Sequence, residues 1–400
     1  MGLRGDAAVV GWAEWESERK HAGARAFQLE QWADLAASAL ADAGIAAHEV
    51  NGLVCCDLRE SSDFVPATIA EYCGWRVNFA ERVDLGGTSP VGMVWRAAAA
   101  IELGLCDVVV CAVPARPRPR PTNPRGPRQD WMTTGASSNV WGSPQAEFDI
   151  PHGNVAQNAG YAMIAQRYAA EFGWDERSLA KIAADQRTSA NANPLAVFKD
   201  VPLTINDVLA SKVVADPIHV LEIVMPCQGG SAIVVTSRER AASTNHRPAF
   251  IRGFGEHLAY KTHSYADDLV RTPIGRAAEQ AFAMSGLSPS DIDACQLYDC
   301  YTITVLLSLE DAGFCGKGEG LDFVRRHDLS YRGDFPVNTH GGQLGMGQPG
   351  MAGGMTQVVE AVRQIQGRAD NRQLATADTM FVSGTGGIMS EQSALILQGA

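Results

Sequence analysis

The chain is 400 residues long, 46% apolar and 20% charged, with a formal net charge of −12; it can bury two or three domains' worth of core, and its charge has the wrong sign for nucleic acid as the main partner. No N-terminal stretch combines a basic start, an apolar core and a cleavage site, and no uncharged apolar run approaches membrane-spanning length, so a cytoplasmic protein without membrane insertion is expected. The nine cysteines are odd in number and lack paired metal-type spacing, which predicts reduced thiols and no metal site.

In chain order, the first pattern is a helix from about Leu29 to Ala43, stopped at Gly44, followed by a buried strand from Val50 to Cys55. Val83-Asp-Leu-Gly-Gly-Thr-Ser-Pro90 opens a second helix that closes at Ile101-Glu-Leu-Gly104. The apolar run Asp107 to Val113 is short and β-branched, like a strand buried on both faces. Together these read as a βαβ unit.

An insertion follows, roughly 114–217. It opens with a proline-stiffened segment, Pro114 to Arg128, carrying five arginines, and continues with helical patterns at Asn154 to Phe172 and Asp175 to Asn191. Five cations on an acidic protein suit phosphates or an acidic partner, whereas as a solvated loop they simply face water. His152, in Pro151-His-Gly-Asn154, is a loop histidine and a candidate substrate contact.

An internal repeat then appears. The stretch Ala39 to Asp57 lies without a gap over Ala281 to Asp299, an offset of 242 residues (281 − 39). Val83-Asp-Leu-Gly-Gly-Thr resembles Val337-Asn-Thr-His-Gly-Gly, the strand 107–113 corresponds to 379–385, and both halves close on an apolar strand, 231–236 and 393–397. The expected architecture is α/β, with two similar units at about 1–240 and 245–400 related by a pseudo-two-fold axis.

The densest site signal is Val337 to Met355, which places seven glycines beside polar side chains just before an amphipathic helix, Met355 to Gln366, that ends at Gly367. Such a loop brings backbone close to a ligand and directs unpaired N–H groups at an anion or oxyanion.

These features carry a family resemblance. Two repeated α/β halves, an inserted loop domain and a Gly-Gly-x-x-x-x-Gly-x-Pro-Gly segment look like the thiolase fold, with αβαβα layers. Leu297-Tyr-Asp-Cys-Tyr-Thr302 resembles the His-Asp-Cys-Phe segment of the sterol-carrier-protein type. The departures are informative. The position matching the thiolase nucleophilic cysteine is Gly87, the activating histidine of Gly-His-Pro is Gln348, and the second cysteine corresponds to Ser383. Covalent thioester exchange needs a thiolate and a base within reach, so ordinary thiolase chemistry is not expected.

What the resemblance leaves is a crevice that stabilises a thioester enolate. It is similar to the thiolase-like lipid-transfer proteins that act as retro-aldolases on β-hydroxyacyl-CoA thioesters of sterol side chains. Those enzymes have a tyrosine at the Tyr298 position, and also one where this chain has Gln348. By this resemblance the catalytic candidates are Tyr298 as acid/base, His340 as a proton relay, Gln348 as an oxyanion donor, and Asp299. Candidate substrate contacts are Gly341, Gly342, Gly347, Ser383, Gly386, Gly387, Tyr301 and His152. No cofactor is expected beyond the coenzyme A of the substrate. The expected assembly is a homodimer with a small OB-fold, zinc-ribbon partner. The alternatives are a non-catalytic acyl-CoA-binding subunit, and a thiolase with a displaced nucleophile, Cys56 or Cys300.

Overall fold

The computed structural model describes residues 3–119, 142–154 and 156–400. Its strands are β1 (Ala7–Glu14), β2 (Gly52–Cys55), β3 (Phe79–Arg82), β4 (Val108–Ala115), β5 (Val213–Ala215), β6 (Ile218–His219), β7 (Gly229–Ser237), β8 (Ala249–Leu258), β9 (Ala294–Gln296), β10 (Thr379–Gly386) and β11 (Glu391–Gly399). The helices are α1 (Gln28–Ala43), α2 (Val65–Cys73), α3 (Ser89–Glu102), α4 (Gln157–Phe172), α5 (Glu176–Asn191), α6 (Ile205–Leu209), α7 (Arg238–Ala241), α8 (Ile274–Ser285), α9 (Thr302–Asp311), α10 (Gly320–Arg326), α11 (Gly342–Gly345) and α12 (Ala352–Ile365). None of the described helices is long and apolar enough to cross a membrane.

Nine strands form one mixed sheet in the order β3-β2-β4-β7-β1-β8-β11-β10-β9. The order is palindromic in its pairing. β2·β4 and β9·β10 are parallel, while β4·β7 and β10·β11, and then β7·β1 and β11·β8, are antiparallel. The two sides meet where β1 pairs with β8 through Ala8↔Phe250 and Val9↔Ala249. α3 and α12 pack together between the two sides, in a core that takes Val54, Cys111, Ile233, Ile251, Val382 and Leu395 from strands of both. The opposite faces are covered by α1 and α2 on one side and by α8 and α9 on the other.

Sequence periodicity missed β1 and β8, the two strands at the centre. Both are broken by glycines where a helix backbone lies on the sheet. A Cβ on Gly11 would meet Ala39 O at 2.7 Å, and one on Gly253 would meet Ala281 O at 2.2 Å. Gly253 follows Gly11 by the same 242 residues that separate Ala281 from Ala39 (253 − 11), so the close helix-on-strand contact is itself repeated.

The inserted helices α4 and α5 contribute Tyr161, Ile164, Tyr168, Leu179 and Ile182 to the core around α9, which brings the insertion over the second half. Of the five arginines, Arg120, Arg125 and Arg128 lie outside the described residues. The other two fold back onto acids of the chain, Arg116 on Glu18 and Arg118 on Glu60, each at 3.5 Å.

Candidate active site

Tyr298 stands in the turn between β9 and α9, and its backbone is held from three directions. The N–H of Leu297 donates to Asn338 Oδ1 at 2.7 Å, that of Tyr298 to Ser383 Oγ at 3.1 Å, and Thr304 Oγ1 donates to the Tyr298 carbonyl at 3.0 Å. Strand β10 and the glycine-rich loop therefore jointly fix where the phenol goes. The ring is buried, and Gln348 Nε2 donates to its oxygen at 2.9 Å. Burial pushes the phenol well above its ordinary pKa, opposed by the hydrogen bond from Gln348, so Tyr298 keeps its proton at neutral pH.

Gly87 faces that phenol. A Cβ at position 87 would lie 2.2 Å from Tyr298 Oη and 2.5 Å from the Thr385 carbonyl. From behind, a Cβ on Gly354 at the start of α12 would lie 2.5 Å from the Gly87 carbonyl. Position 87 is thus closed by backbone on two sides and by the phenol on a third.

Asp299 is the clamp of the glycine-rich loop. Its Oδ1 accepts from the Gln343 N–H at 2.8 Å and from Gln357 Nε2 at 3.2 Å, and its Oδ2 accepts from the Leu344 N–H at 3.0 Å. Burial raises its pKa to about 7 against these donors. The carboxylate sits so tightly on the loop that a Cβ on Gly342, where φ is +60°, would meet Oδ2 at 2.1 Å. With both oxygens accepting from the loop's backbone, Asp299 holds the loop's shape. Gly341 and Gly347 pack against Ala190 of α5 and against Cys227 respectively.

The N-terminus of α12 does not present the free N–H cradle expected from the loop's composition. The first amides of α12 are consumed inside the turn, with Ala352 donating to Pro349 O, Gly353 to Gly350 O and Gly354 to Met351 O at 3.1–3.2 Å, while Gln348 N–H donates to Met225 O at 2.8 Å. The loop's contribution is the side chains it aims.

A second aromatic group adjoins the first. Tyr301 stacks on Tyr161 of α4 with ring centroids 4.0 Å apart and donates to Asn158 Oδ1 at 2.5 Å. Tyr161 Oη donates to the Gly387 carbonyl and accepts from Cys300 Sγ, both at 3.2 Å. Gly386 and Gly387 thus wall this side, where a Cβ on Gly386 would meet Leu85 O at 2.1 Å.

His340 has a different setting. It is fully buried, burial depresses its pKa to about 3, and the charges acting on it are Glu360, Arg372 and Arg363. Glu360 accepts from Arg363 at 2.6 Å, Arg372 at 3.0 Å and Thr339 Oγ1 at 2.7 Å. Burial acts to raise the Glu360 carboxyl, but the two guanidiniums outweigh it and hold it below the usual range. Neither ring nitrogen of His340 has a hydrogen-bond partner among the described residues, so no hydrogen-bonded relay joins it to Tyr298. His152 is exposed at the end of a short turn, Ile150–His152.

A cavity of about 650 Å³ is lined by Trp32, Cys56, Arg59, Arg82, Val113 and Met351 among others. It reaches the glycine-rich loop at Gly350 and Met351, and Tyr298 is not one of its walls. The two cysteines considered as displaced nucleophiles are both buried, and burial holds both thiols protonated, Cys300 at about 12 and Cys56 higher still.

Sequence reasoning missed Tyr161, Asn158 and Gln343. The first two lie on the insertion, with no local signal linking them to Tyr301. Gln343 is discernible only as a polar residue between Gly342 and Leu344 in a loop otherwise built for close packing.

A continuous mixed sheet wrapped around two central helices, with the site at the N-terminal ends of those helices and a loop domain laid over it, defines a protein of the thiolase fold. The family profile "Thiolase C-terminal domain-like" matches residues 255–399. A steroid side-chain-cleaving aldolase of Thermomonospora curvata is 35% identical over 390 residues, 96% of each chain. The 17-hydroxy-3-oxo-4-pregnene-20-carboxyl-CoA lyase of Mycobacterium tuberculosis is 32% identical over 394 residues, 96% of this chain and 97% of the relative. The solved Ltp2-ChsH2(DUF35) aldolase superposes with a TM-score of 0.86 at 32% identity, covering 100% of this chain and 99% of that one. The chain belongs to the thiolase superfamily, in its sterol-carrier-protein-type aldolase branch, and it is an aldolase.

Proposed function

We propose that the enzyme cleaves the Cα–Cβ bond of a β-hydroxyacyl-CoA whose acyl group carries a bulky, sterol-derived side chain. The observation that carries this reading is the buried Tyr298 phenol, held by Gln348 at 2.9 Å and set against Gly87. The names of two relatives, a steroid side-chain-cleaving aldolase and a 17-hydroxy-3-oxo-4-pregnene-20-carboxyl-CoA lyase, support this reading.

In the retro-aldol step the β-hydroxyl loses its proton, the Cα–Cβ electron pair moves into the thioester to give the enolate, and the new carbonyl compound departs. Tyr298 is protonated at rest, so the β-hydroxyl proton passes to a base other than Tyr298 as the bond breaks; Tyr298 then gives its own proton to the enolate carbon, and the base returns the hydroxyl proton to the phenolate. Gln348, an amide donor, binds the oxygen side of the system. Neither a covalent cysteine nor a cofactor beyond the coenzyme A of the substrate enters this scheme.

The same reading includes the division into halves near residues 240–245, a homodimer, and a second, small subunit of OB-fold, zinc-ribbon type, in keeping with the two components named for the solved aldolase. The dimer is supported by the β3 edge of the sheet, which has one neighbour, and by Phe64 and Tyr72 beside it, 84% and 51% exposed. Light scattering at micromolar concentration should give the mass of two chains; a monomer would count against it.

The deciding test is Tyr298→Phe, which keeps ring and packing while deleting one hydroxyl. Cleavage of a β-hydroxyacyl-CoA should fall about 10²–10⁴-fold with an unchanged melting temperature. Gln348→Ala should cost about 10²–10³-fold. Wild-type turnover in Tyr298→Phe would reduce the tyrosine to a core residue.

A further inference from the structure

Gln343 is completely buried at the start of α11, and neither Nε2 nor Oε1 of its side chain meets hydrogen-bond geometry with any group among the described residues. Leaving a buried carboxamide unpaired carries the full desolvation penalty of its polar atoms, so such a group calls for a reason. Its backbone is not free to drift, because its N–H is held by Asp299 at 2.8 Å. Its side chain lies beside that of Gln348. A Cβ built on Gly353 would meet Gln348 Cγ at 3.0 Å, Gln343 Cδ at 3.2 Å and Gln343 Oε1 at 3.3 Å, so both amide side chains crowd one point at the start of α12. Both also act on the same phenol, since the Gln348 and Gln343 amides each favour the ionised form of Tyr298 against burial.

We propose that Gln343 is a positioning residue for Tyr298, supplying the second N–H to the phenol oxygen opposite the one from Gln348, so that the phenol's own proton has only the reacting carbon left to point at. A phenol oxygen has two acceptor directions and one donor. When Gln348 and Gln343 fill the acceptor directions, the O–H is aimed without further contacts, and the phenolate left after protonation of the enolate is met by two donors already in place. The resting gap between Gln343 and the phenol closes as charge develops on the oxygen. The clamp from Asp299 therefore has a catalytic consequence, since it sets the backbone from which Gln343 reaches Tyr298.

This inference rests on the aldolase reading with Tyr298 as proton donor, and a double-mutant cycle separates the two. Gln343→Leu keeps size and removes both polar atoms. Single-turnover cleavage of a β-hydroxyacyl-CoA is measured for wild type, Gln343→Leu, Tyr298→Phe and the double variant, with melting temperatures alongside. In the wild-type background Gln343→Leu should lower the rate at least tenfold with KM within about twofold, and in the Tyr298→Phe background it should lower it no further. Gln343→Glu, which puts an acceptor-only carboxylate against the phenol, should be at least as slow as Gln343→Leu. An equal loss in both backgrounds, or none in either, overturns the positioning role while leaving the aldolase standing. A wild-type enzyme that cleaves nothing, or Tyr298→Phe at full rate, overturns the underlying reading and this role with it.

Discussion

A side chain at Gly87 and the phenol of Tyr298 exclude one another, because a Cβ at 87 would lie 2.2 Å from Tyr298 Oη. The resemblance to thiolases places the nucleophilic cysteine at this position, and the structure fills the space with a tyrosine oxygen. Gly87→Ala should therefore displace the phenol from Gln348 and reduce cleavage at least as much as losing the hydroxyl does, about 10²-fold or more. The check is kcat and melting temperature for Gly87→Ala beside Tyr298→Phe. Full activity in Gly87→Ala would show that the ring can move without consequence.

Cysteine chemistry gives a second test. Both candidate thiols are buried and held protonated, Cys300 at about 12 and Cys56 above that, so the reactive thiolate is scarce at neutral pH. Intact mass spectrometry after incubation with an acyl-CoA should show the unmodified chain. A stable acyl adduct on Cys56 or Cys300 would instead favour a thiolase with a relocated nucleophile.

His340 predicts an acid lability distinct from catalysis. Its pKa of about 3 in the folded protein lies below the reference 6.5, so between those values the unfolded chain holds a proton that the folded one lacks. Stability from this group is complete above about pH 6.5 and drains as pH falls toward 3, by about 1.4 kcal/mol per pH unit. His340→Asn, which removes the titrating ring, should move the midpoint of acid unfolding to lower pH. Cleavage by the wild type should show no ionisation of His340 near pH 6.5, and a midpoint unchanged by the substitution would mean that the ring is not the buried neutral group described.

Much of the fold was legible in the sequence, because the 242-residue repeat exposes matching helices and strands even without their neighbours. The boundaries of α1, α5 and β10 follow the predicted periodicity closely. β1 and β8 were not legible. Each carries glycines where a helix presses on it, and this dilutes the apolar run that announces a strand. α12 begins at Ala352, ahead of the predicted Met355, because Gly353 and Gly354 are helical here. They allow close approach to Gln343, Gln348 and Gly87.

By itself the sequence determined the repeated α/β plan and the glycine-rich loop as the centre of interest, since these depend on local pattern and residue type; Tyr298 and Gln348 became candidates through the family resemblance. Tertiary structure decided which groups meet. It brought Gln348 to the phenol across 50 residues of chain and Tyr161 to Tyr301 across 140. It also buried His340 under the charges of Glu360, Arg363 and Arg372, made Asp299 a clamp, and left the Gln343 carboxamide without a hydrogen-bond partner among the described residues. The physical reason is that pairing, burial and close approach are set by the packing of distant segments, and a run of residue types along one chain carries no measure of distance between them.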